Sequence, residues 1–154
     1  MREIKFRAWD KKEKKMIYPG NVYMPDLTAT GCPVDFKTRK NLSLRYELNQ
    51  FTGSKDRNRT EIYKEDIVKL HVDTGSHVDE GEFEIGFECD YIGKVIFVST
   101  GTYITKIRVE NENTPHGIYD NTGTLCSTIP KKKRVIGYRS EVIGNIYENG
   151  DLLK

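Results

Sequence analysis

The apolar residues of this chain recur mainly at every second position, which is the spacing of a β-strand with one buried face. Near the N-terminus, Ile4, Phe6 and Ala8 alternate with basic residues. This pattern predicts a first strand that buries those three side chains. Arg7 and Trp9 then fall on the opposite face, because successive side chains of a strand point to opposite sides.

A second short strand is predicted at Met16–Tyr18, after a charged turn over residues 10–15. The two strands would form an N-terminal hairpin. From Pro19 to Asn41, three prolines and several Gly and Asn residues leave no room for a long helix. This stretch is therefore predicted to be a long irregular loop.

Strand-like segments continue through the rest of the chain. The pattern predicts strands at residues 42–52, 83–87, 94–98, 103–109, 135–138 and 141–147, and an apolar-rich segment over 61–72 that enters a strand near Ile67. In the first of these, residues 42, 44, 46 and 48 share one apolar face, and Thr52–Gly53 predicts a turn at its end. Residues 111–130 are rich in Asn, Thr and Gly and predict a long loop or paired turns, and residues 148–154 predict a short helical turn.

Composition supports the strand pattern. Ile and Val number 24 of the 154 residues, against 8 Leu and 2 Ala, and Thr adds 13. Such β-branched residues favour the pleated surface of a sheet over helices. The length is that of one ordinary domain. The sequence therefore predicts a mainly β fold.

Two absences bear on the expected compartment. No run of 18 apolar residues occurs, and charges alternate with the first apolar residues, so neither a membrane span nor a signal peptide is predicted. Cys32, Cys89 and Cys126 form no C-x-x-C pair, which argues against a disulfide framework and a zinc knuckle. We expect a soluble cytoplasmic protein with reduced thiols.

Charge is unevenly placed although the formal net charge is only +2. Residues 73–90 hold seven acidic side chains and no Lys or Arg, whereas residues 131–134 are four consecutive cations followed by Arg139. Such a basic segment is explained by a solvated loop, by contacts with nucleic-acid phosphates, by an acidic partner surface, or by pairing with the acidic segment of the same chain. The sequence leaves these alternatives open.

Motifs that carry chemistry are missing. Asp56-x-Asn58-x-Thr60 begins like a calcium loop, but Glu61 stands where Gly is required and Ile67 where a bidentate Glu is required. A turn in which Asp and Asn side chains accept hydrogen bonds from nearby backbone amides explains the segment better.

No common nucleotide, hydrolase or zinc-protease motif occurs. His71 and His77 lie among acidic residues at spacings that match no known metal motif, so a solvated acidic loop is favoured. We therefore predict no catalytic residue, no metal site and no cofactor.

Three blocks together resemble the YopX-like family, whose members are small proteins carried by bacterial phages and prophages. The blocks are Arg2–Lys11 with Met16–Tyr18; Gln50–Gly53, Lys55, Asp56, Asn58, Glu61–Tyr63 and Asp66–Val68; and Glu141–Glu148 with Leu152 and Leu153.

This resemblance implies a compact, largely β protein that includes a small SH3-like barrel or sandwich, in a bacterial host cell. It implies a single domain over 1–154, with an N-terminal segment 1–50 packing on a barrel 51–154 as a further possibility. It implies no known activity and no catalytic residue.

The chain departs from the family pattern at two turns. Arg59 and Glu65 stand where the family usually carries Gly. Gly would supply a positive φ angle, which a longer side chain adopts only at a cost. The departures predict either that the turns differ here or that Asn58 takes the strained position.

Four aromatic residues lie in the family-like blocks: Trp9, Phe51, Tyr63 and Tyr147. Aromatic side chains beside Arg7 and Lys55 fit either core packing or the stacking of bases on a small barrel.

We predict a non-enzymatic binding module that forms a homo-oligomer or binds a host or phage protein, because exposed edge strands favour self-association. The alternative is a nucleic-acid-binding protein. The residues expected at a partner or nucleic-acid contact are Arg7, Trp9, Lys131, Lys132, Lys133 and Arg134.

Overall fold

The computed structural model describes residues 4–18, 26–27, 33–35, 40–73, 77–79, 82–84, 88–113 and 131–154. The chain divides into two compact units. Unit 1 consists of Met1–Ser54 and Glu61–Lys64, and unit 2 of Lys55–Thr60 and Glu65–Lys154. The single domain over 1–154 stays a prediction.

The described residues form β-strands joined by turns. In chain order the strands are β1 (Phe6–Asp10), β2 (Lys15–Ile17), β3 (Asp26–Leu27), β4 (Pro33–Asp35), β5 (Lys40–Asn41), β6 (Tyr46–Lys55), β7 (Glu61–Tyr63), β8 (Asp66–Asp73), β9 (His77–Asp79), β10 (Glu82–Glu84), β11 (Glu88–Val98), β12 (Gly101–Asn113), β13 (Lys132–Arg134) and β14 (Ser140–Asn145). Two short 3₁₀ turns span Gly137–Arg139 and Gly150–Leu153, and the second confirms the predicted terminal turn. The predicted mainly β class is confirmed.

The main sheet of unit 1 has the strand order β2-β1-β6-β7. Strands β1 and β2 pair antiparallel, with Trp9 opposite Met16, which confirms the N-terminal hairpin. Asp10 closes the turn between them, because its Oδ1 accepts hydrogen bonds from the backbone amides of Lys12 (2.9 Å) and Glu13 (3.1 Å).

The prediction that β1 buries only one face is wrong. Ile4 is 75% exposed, whereas all four residues from Arg7 to Asp10 are buried. On one side Ala8 packs with Ile17 and Tyr46. On the other side aromatic side chains cover Arg7. The alternation of apolar and charged residues distinguishes the two faces of a strand, but it does not say which face is buried. In β1 both faces are covered.

The predicted strand over 42–52 begins later than expected. Leu42 to Arg45 form a turn, in which the amides of Arg45 and Tyr46 both donate to the Leu42 carbonyl at 2.9 Å. Leu44 is therefore 91% exposed. Strand β6 also continues to Lys55, beyond the turn predicted at Thr52–Gly53. Gly53 adopts a φ of 82° within the strand.

Unit 2 contains a five-stranded antiparallel sheet in the order β13-β12-β11-β8-β14. Its interior holds fully buried Ile67, Val68, Val95 and Ile104, which the alternating pattern placed in strands. One of the two main antiparallel sheets of the protein curls into a half-barrel. The SH3-like barrel itself stays a prediction.

Most of the basic segment lies in a strand and not in a loop, although its side chains are largely exposed, as the solvated interpretation expected. Residues Lys132–Arg134 form β13, which pairs with Tyr103–Thr105 of β12. The predicted strand over 135–138 gives way to the 3₁₀ turn Gly137–Arg139, because Ser140 Oγ and the Arg139 amide both donate to the Ile136 carbonyl.

Arg59 and Glu65 themselves take the left-handed conformation, with φ angles of 65° and 67°. Both expected alternatives, a different turn or strain at Asn58, are therefore wrong. At Arg59, the Asp56 carbonyl accepts a hydrogen bond from the Arg59 amide at 3.0 Å. Two hydrogen bonds hold the backbone of Glu65. Its amide donates to the Val95 carbonyl, and its carbonyl accepts from the Ile146 amide.

Replacing Arg59 by Gly is expected to raise the free energy of unfolding by about 0.5–1 kcal/mol. The left-handed conformation costs an L-residue roughly 1–2 kcal/mol, and the greater freedom of Gly in the unfolded chain offsets part of that gain. The Arg59 side chain is exposed, so little packing is lost. Urea unfolding measures the change. The control is Arg59→Ala, which keeps the strain, and a Gly variant no more stable than the Ala variant would contradict the assignment.

Parts of the predicted loops lie outside the described residues. These are 19–25, 28–32 and 36–39 in the first loop, where β3, β4 and β5 form a three-stranded sheet, and 114–130 in the second. Cys32 and Cys126 lie in these same gaps. Among the residues that are described, no helix is long and apolar enough to cross a membrane.

Candidate functional site

Strand β13 forms an edge of the five-stranded sheet and carries the basic segment. Its register places Arg134 opposite Tyr103 and Lys132 opposite Thr105. Lys132 and Arg134 are exposed and lie two residues apart on one face of the strand, whereas Lys133 is half-buried on the other face. The rise of a strand separates the backbones of the two exposed cations by about 7 Å.

Tyr103 lies on the same face as the two exposed cations. The Lys132 Nζ atom is 5.2 Å from the centroid of the Tyr103 ring, and the Lys133 Nζ atom is 5.9 Å from that of Tyr91. An ammonium group near the face of an aromatic ring is attracted by the ring quadrupole. These contacts hold the two lysines against β12 and β11. We call Lys131, Lys132, Arg134 and Tyr103 the basic edge.

Sequence reasoning identified the cations of the basic edge but not Tyr103. About thirty residues separate Tyr103 from its neighbours on β13. The register that pairs two distant strands cannot be predicted from a local sequence pattern. Lys131 extends the edge, since its carbonyl accepts a hydrogen bond from Thr105 Oγ1 at 3.4 Å. Just after β13, Tyr138 is 73% exposed and has the Arg139 guanidinium 5.7 Å from its ring.

The charges of the basic edge are uncompensated within the described side chains. There, none of the four cations at 131–134 forms an ion pair with an acidic residue. Asp90, the described acidic side chain of the segment 73–90, instead binds Lys69 Nζ at 3.1 Å and His71 Nδ1 at 3.1 Å. The other acidic side chains of that segment lie outside the described residues, so their pairing with the basic segment stays an open alternative.

The other two predicted contact residues are buried in unit 1. Arg7 is 3% and Trp9 is 9% exposed. The Arg7 guanidinium lies 4.7 Å from the ring of Tyr63 and 6.0 Å from that of Tyr18. Burial, with the hydrogen bond that Tyr63 donates to Glu61 at 2.7 Å, raises the pKa of Tyr63. Both predicted residues pack inside their unit and present no contact surface.

The ionisable groups on the face of β8, β11 and β12 compensate one another. Lys69 lies between Asp90 and Glu110, and Arg108 donates to Glu110 at 2.6 Å. The hydrogen bond to Asp90 is the main cause that raises the pKa of Lys69. In the part of the chain that is described, no three His, Cys, Asp or Glu side chains gather as a metal site would require. The side chain of His77 lies outside that part.

Asp56 takes the role of a turn anchor. Its Oδ1 accepts hydrogen bonds from the amides of Asn58 and Thr60 at 2.8 Å, and its Oδ2 accepts one from the amide of Val142 at 2.9 Å. Arg57 forms an ion pair with Glu141 beside it. The carboxylate is thus committed to backbone amides, as the sequence predicted for this turn.

Comparison with known proteins gives a family and a fold. The family model described as YopX protein matches residues 5–154. The crystal structure of protein EF1440 from Enterococcus faecalis is similar over 100% of both chains, with a TM-score of 0.50 and 18% sequence identity, a level at which the likeness concerns the fold alone. No match is found among the curated proteins.

Proposed function

This chain belongs to the YopX family, and we propose that it acts by binding single-stranded nucleic acid along strand β13. The observation that carries the proposal is the basic edge, where Lys132 and Arg134 share one exposed face with Tyr103. Cations on a regular backbone contact successive phosphates, and a neighbouring aromatic ring offers a stacking surface that tolerates any base.

The shape of this surface favours a single strand over a duplex. The cations form a short row on one sheet edge, and Tyr103 is half-exposed directly opposite Arg134. Bases must be unstacked from a duplex before they reach a tyrosine on a sheet face. A single strand presents both its phosphates and its bases to such a row.

The lysines of the basic edge disfavour self-association through β13, one of the ways in which the predicted homo-oligomer could form. Two copies that paired through this edge would bring two rows of lysines together, and lysines on edge strands are a common means of preventing such pairing. A homo-oligomer formed elsewhere, a host or phage protein as partner, and a phage or prophage origin stay predictions. Support for binding over catalysis comes from Asp10, Asp56 and Asp90, whose carboxylates are all held by structural partners.

The double variant Lys132→Gln/Arg134→Gln is expected to bind a labelled mixed-sequence single-stranded oligonucleotide about tenfold or more weakly. Loss of two phosphate contacts should also reduce the slope of log affinity against log salt by about 1.4, since each contact on a single strand contributes about 0.7. Fluorescence anisotropy over a salt series measures both quantities. Tyr103→Leu should weaken binding at every salt concentration without changing the slope.

The matched control is Lys12→Gln/Lys15→Gln. It removes the same charge from exposed positions of the N-terminal hairpin and should leave the affinity within about twofold of the parent. Equal losses in both double variants would mean a general charge effect and would overturn the proposal. So would a parent protein that binds no oligonucleotide and elutes as a salt-insensitive oligomer, which is the result expected of a protein-interaction module.

A further inference from the structure

A second feature of unit 2 is a surface pocket of about 310 Å³. It is lined by Lys94, Lys106, Ile146, Gly150, Leu153 and Lys154. The three lysines come from β11, β12 and the segment after the last 3₁₀ turn, so they are far apart in sequence. None of the lining residues, all of which belong to the described part of the chain, is acidic.

Lys106 reaches the pocket from a β-bulge. The register of β11 and β12 shifts between Ile92, opposite Arg108, and Lys94, opposite Thr105, so that Lys106 and Ile107 lie opposite Gly93 alone. Lys106 adopts a φ of 53°, a conformation that L-residues rarely adopt. Bulges re-aim side chains, and strained residues occur where a site requires a given direction.

The bulge is tightly packed against Gly93. A Cβ atom at that position would lie 3.0 Å from the Ile104 Cβ and 3.0 Å from the Thr105 carbonyl oxygen. The absence of a side chain at Gly93 therefore permits the close approach of the two strands, and the position of Lys106 is set by backbone geometry.

Of the three lysines that line the pocket, only Lys94 forms an ion pair within the described residues. Lys94 Nζ is 2.8 Å from Glu65 Oε2, which fixes the lysine and neutralises it. Lys106 and Lys154 are exposed, and within the described residues neither side chain forms an ion pair, so their ammonium groups are accessible to a ligand. Half-buried Ile146 and Leu153 add an apolar wall beside these cations.

We propose that this pocket binds a phosphomonoester, with the phosphoryl group between Lys106 and Lys154 and the organic part against Ile146 and Leu153. A phosphoryl dianion is attracted by the two exposed ammonium groups and accepts several charge-assisted hydrogen bonds. The volume is at the lower end of the range for small-ligand sites, which fits a small organic phosphate. This site does not depend on nucleic-acid binding by the basic edge.

The test is a titration of the ¹⁵N-labelled protein, freed of bound nucleic acid, with phenyl phosphate, followed by amide chemical shifts. We expect the amides of Lys106, Gly150 and Leu153 to move together and saturate. Inorganic phosphate should bind several-fold more weakly, because it lacks an apolar part. Sodium chloride at the same ionic strength should produce no saturating shift, and an equal response to chloride would overturn the proposal.

Two variants of Lys106 separate binding from folding. Lys106→Gln should weaken phenyl phosphate about tenfold through the loss of one charge-assisted hydrogen bond. Lys106→Gly should lose affinity equally but unfold at a higher temperature, because Gly relieves the positive φ. Unchanged affinity in both variants would overturn the proposal. The control is Lys12→Gln, an exposed lysine in unit 1, which should bind as the parent does.

A 5′-phosphorylated oligonucleotide, compared with its unphosphorylated form, identifies the source of the phosphomonoester. A preference for the phosphorylated strand that Lys106→Gln removes would assign the pocket to strand ends, and phenyl phosphate binding without that preference would assign it to free metabolites. The variant Lys132→Gln/Arg134→Gln should keep phenyl phosphate binding. This variant thereby distinguishes a failure of the proposed nucleic-acid binding at the basic edge from a failure of the proposed phosphomonoester binding in the pocket.

Discussion

Replacement of Asp56 by Ala is expected to lower the free energy of unfolding by about 3 kcal/mol. The side chain is 5% exposed and accepts three backbone hydrogen bonds, two within its own turn and one from Val142 on β14. Each donor left without an acceptor costs about 1–3 kcal/mol when buried, and water replaces part of the loss at the exposed Asn58 and Thr60. Urea unfolding followed by circular dichroism measures the change.

The variant Asp56→Asn divides this effect. Its carbonyl oxygen can keep the two bonds within the turn, but its amide group cannot accept a hydrogen bond from the Val142 amide. We therefore expect about half the loss seen with Ala. The control is Asp151→Ala, which removes an exposed carboxylate and should change stability by less than about 0.5 kcal/mol. If Asp56→Ala were as stable as this control, Asp56 would not be the anchor of the turn.

Acid is expected to remove about 2 kcal/mol of stability through Asp10 alone. The Arg45 guanidinium donates to both carboxylate oxygens of Asp10, and this hydrogen bonding, with the amides of Glu13 and Lys12, lowers the pKa of Asp10 from 3.8 to about 2. The carboxyl group is 1% exposed. Because one pKa unit corresponds to about 1.4 kcal/mol, the shift is worth about 2 kcal/mol when the group is ionised in both states.

The sign follows from the lowered pKa. The unfolded chain takes up the proton first as the pH falls, so the contribution is complete above about pH 5 and is lost between about pH 4 and pH 2. Urea unfolding of the parent and of Asp10→Asn at a series of pH values measures it. The parent should be more stable at pH 7, and the difference should shrink toward pH 2. A difference that stays constant over this range would show that the ionised carboxylate is not the source.

Features that depend on neighbours in sequence were accessible to prediction. The hairpin of β1 and β2 follows from two short apolar segments around a charged turn, and the Asp56 turn follows from side chains that bond amides two and four residues away. In each case the relevant contacts or dihedral angles are local, so the sequence records them directly.

The burial of both faces of β1 could not be predicted from the sequence pattern. Period-two alternation separates the side of Ala8 from the side of Arg7, but it contains no information on what covers each side. Tyr63, more than fifty residues away, covers Arg7, and a charged residue with an aromatic cover is as buried as an apolar one. Arg7 and Trp9 were therefore expected at a contact surface although they pack inside unit 1.

The candidate sites required the same distant information. The cations at 131–134 are evident in the sequence, but their position on an edge strand with Tyr103 depends on a register between β12 and β13. The pocket depends on a bulge that aims Lys106 opposite Gly93 and on Ile146 and Leu153 from the end of the chain.

The sequence by itself determined the mainly β class, the family, the N-terminal hairpin and the existence of a basic segment, because composition, alternation and local turns carry that information. The tertiary structure alone decided which faces are covered, that the basic segment is a strand, and which aromatic and apolar groups adjoin the cations. These properties arise from hydrogen bonds and packing between residues distant in sequence, and a one-residue change of register would rearrange all of them.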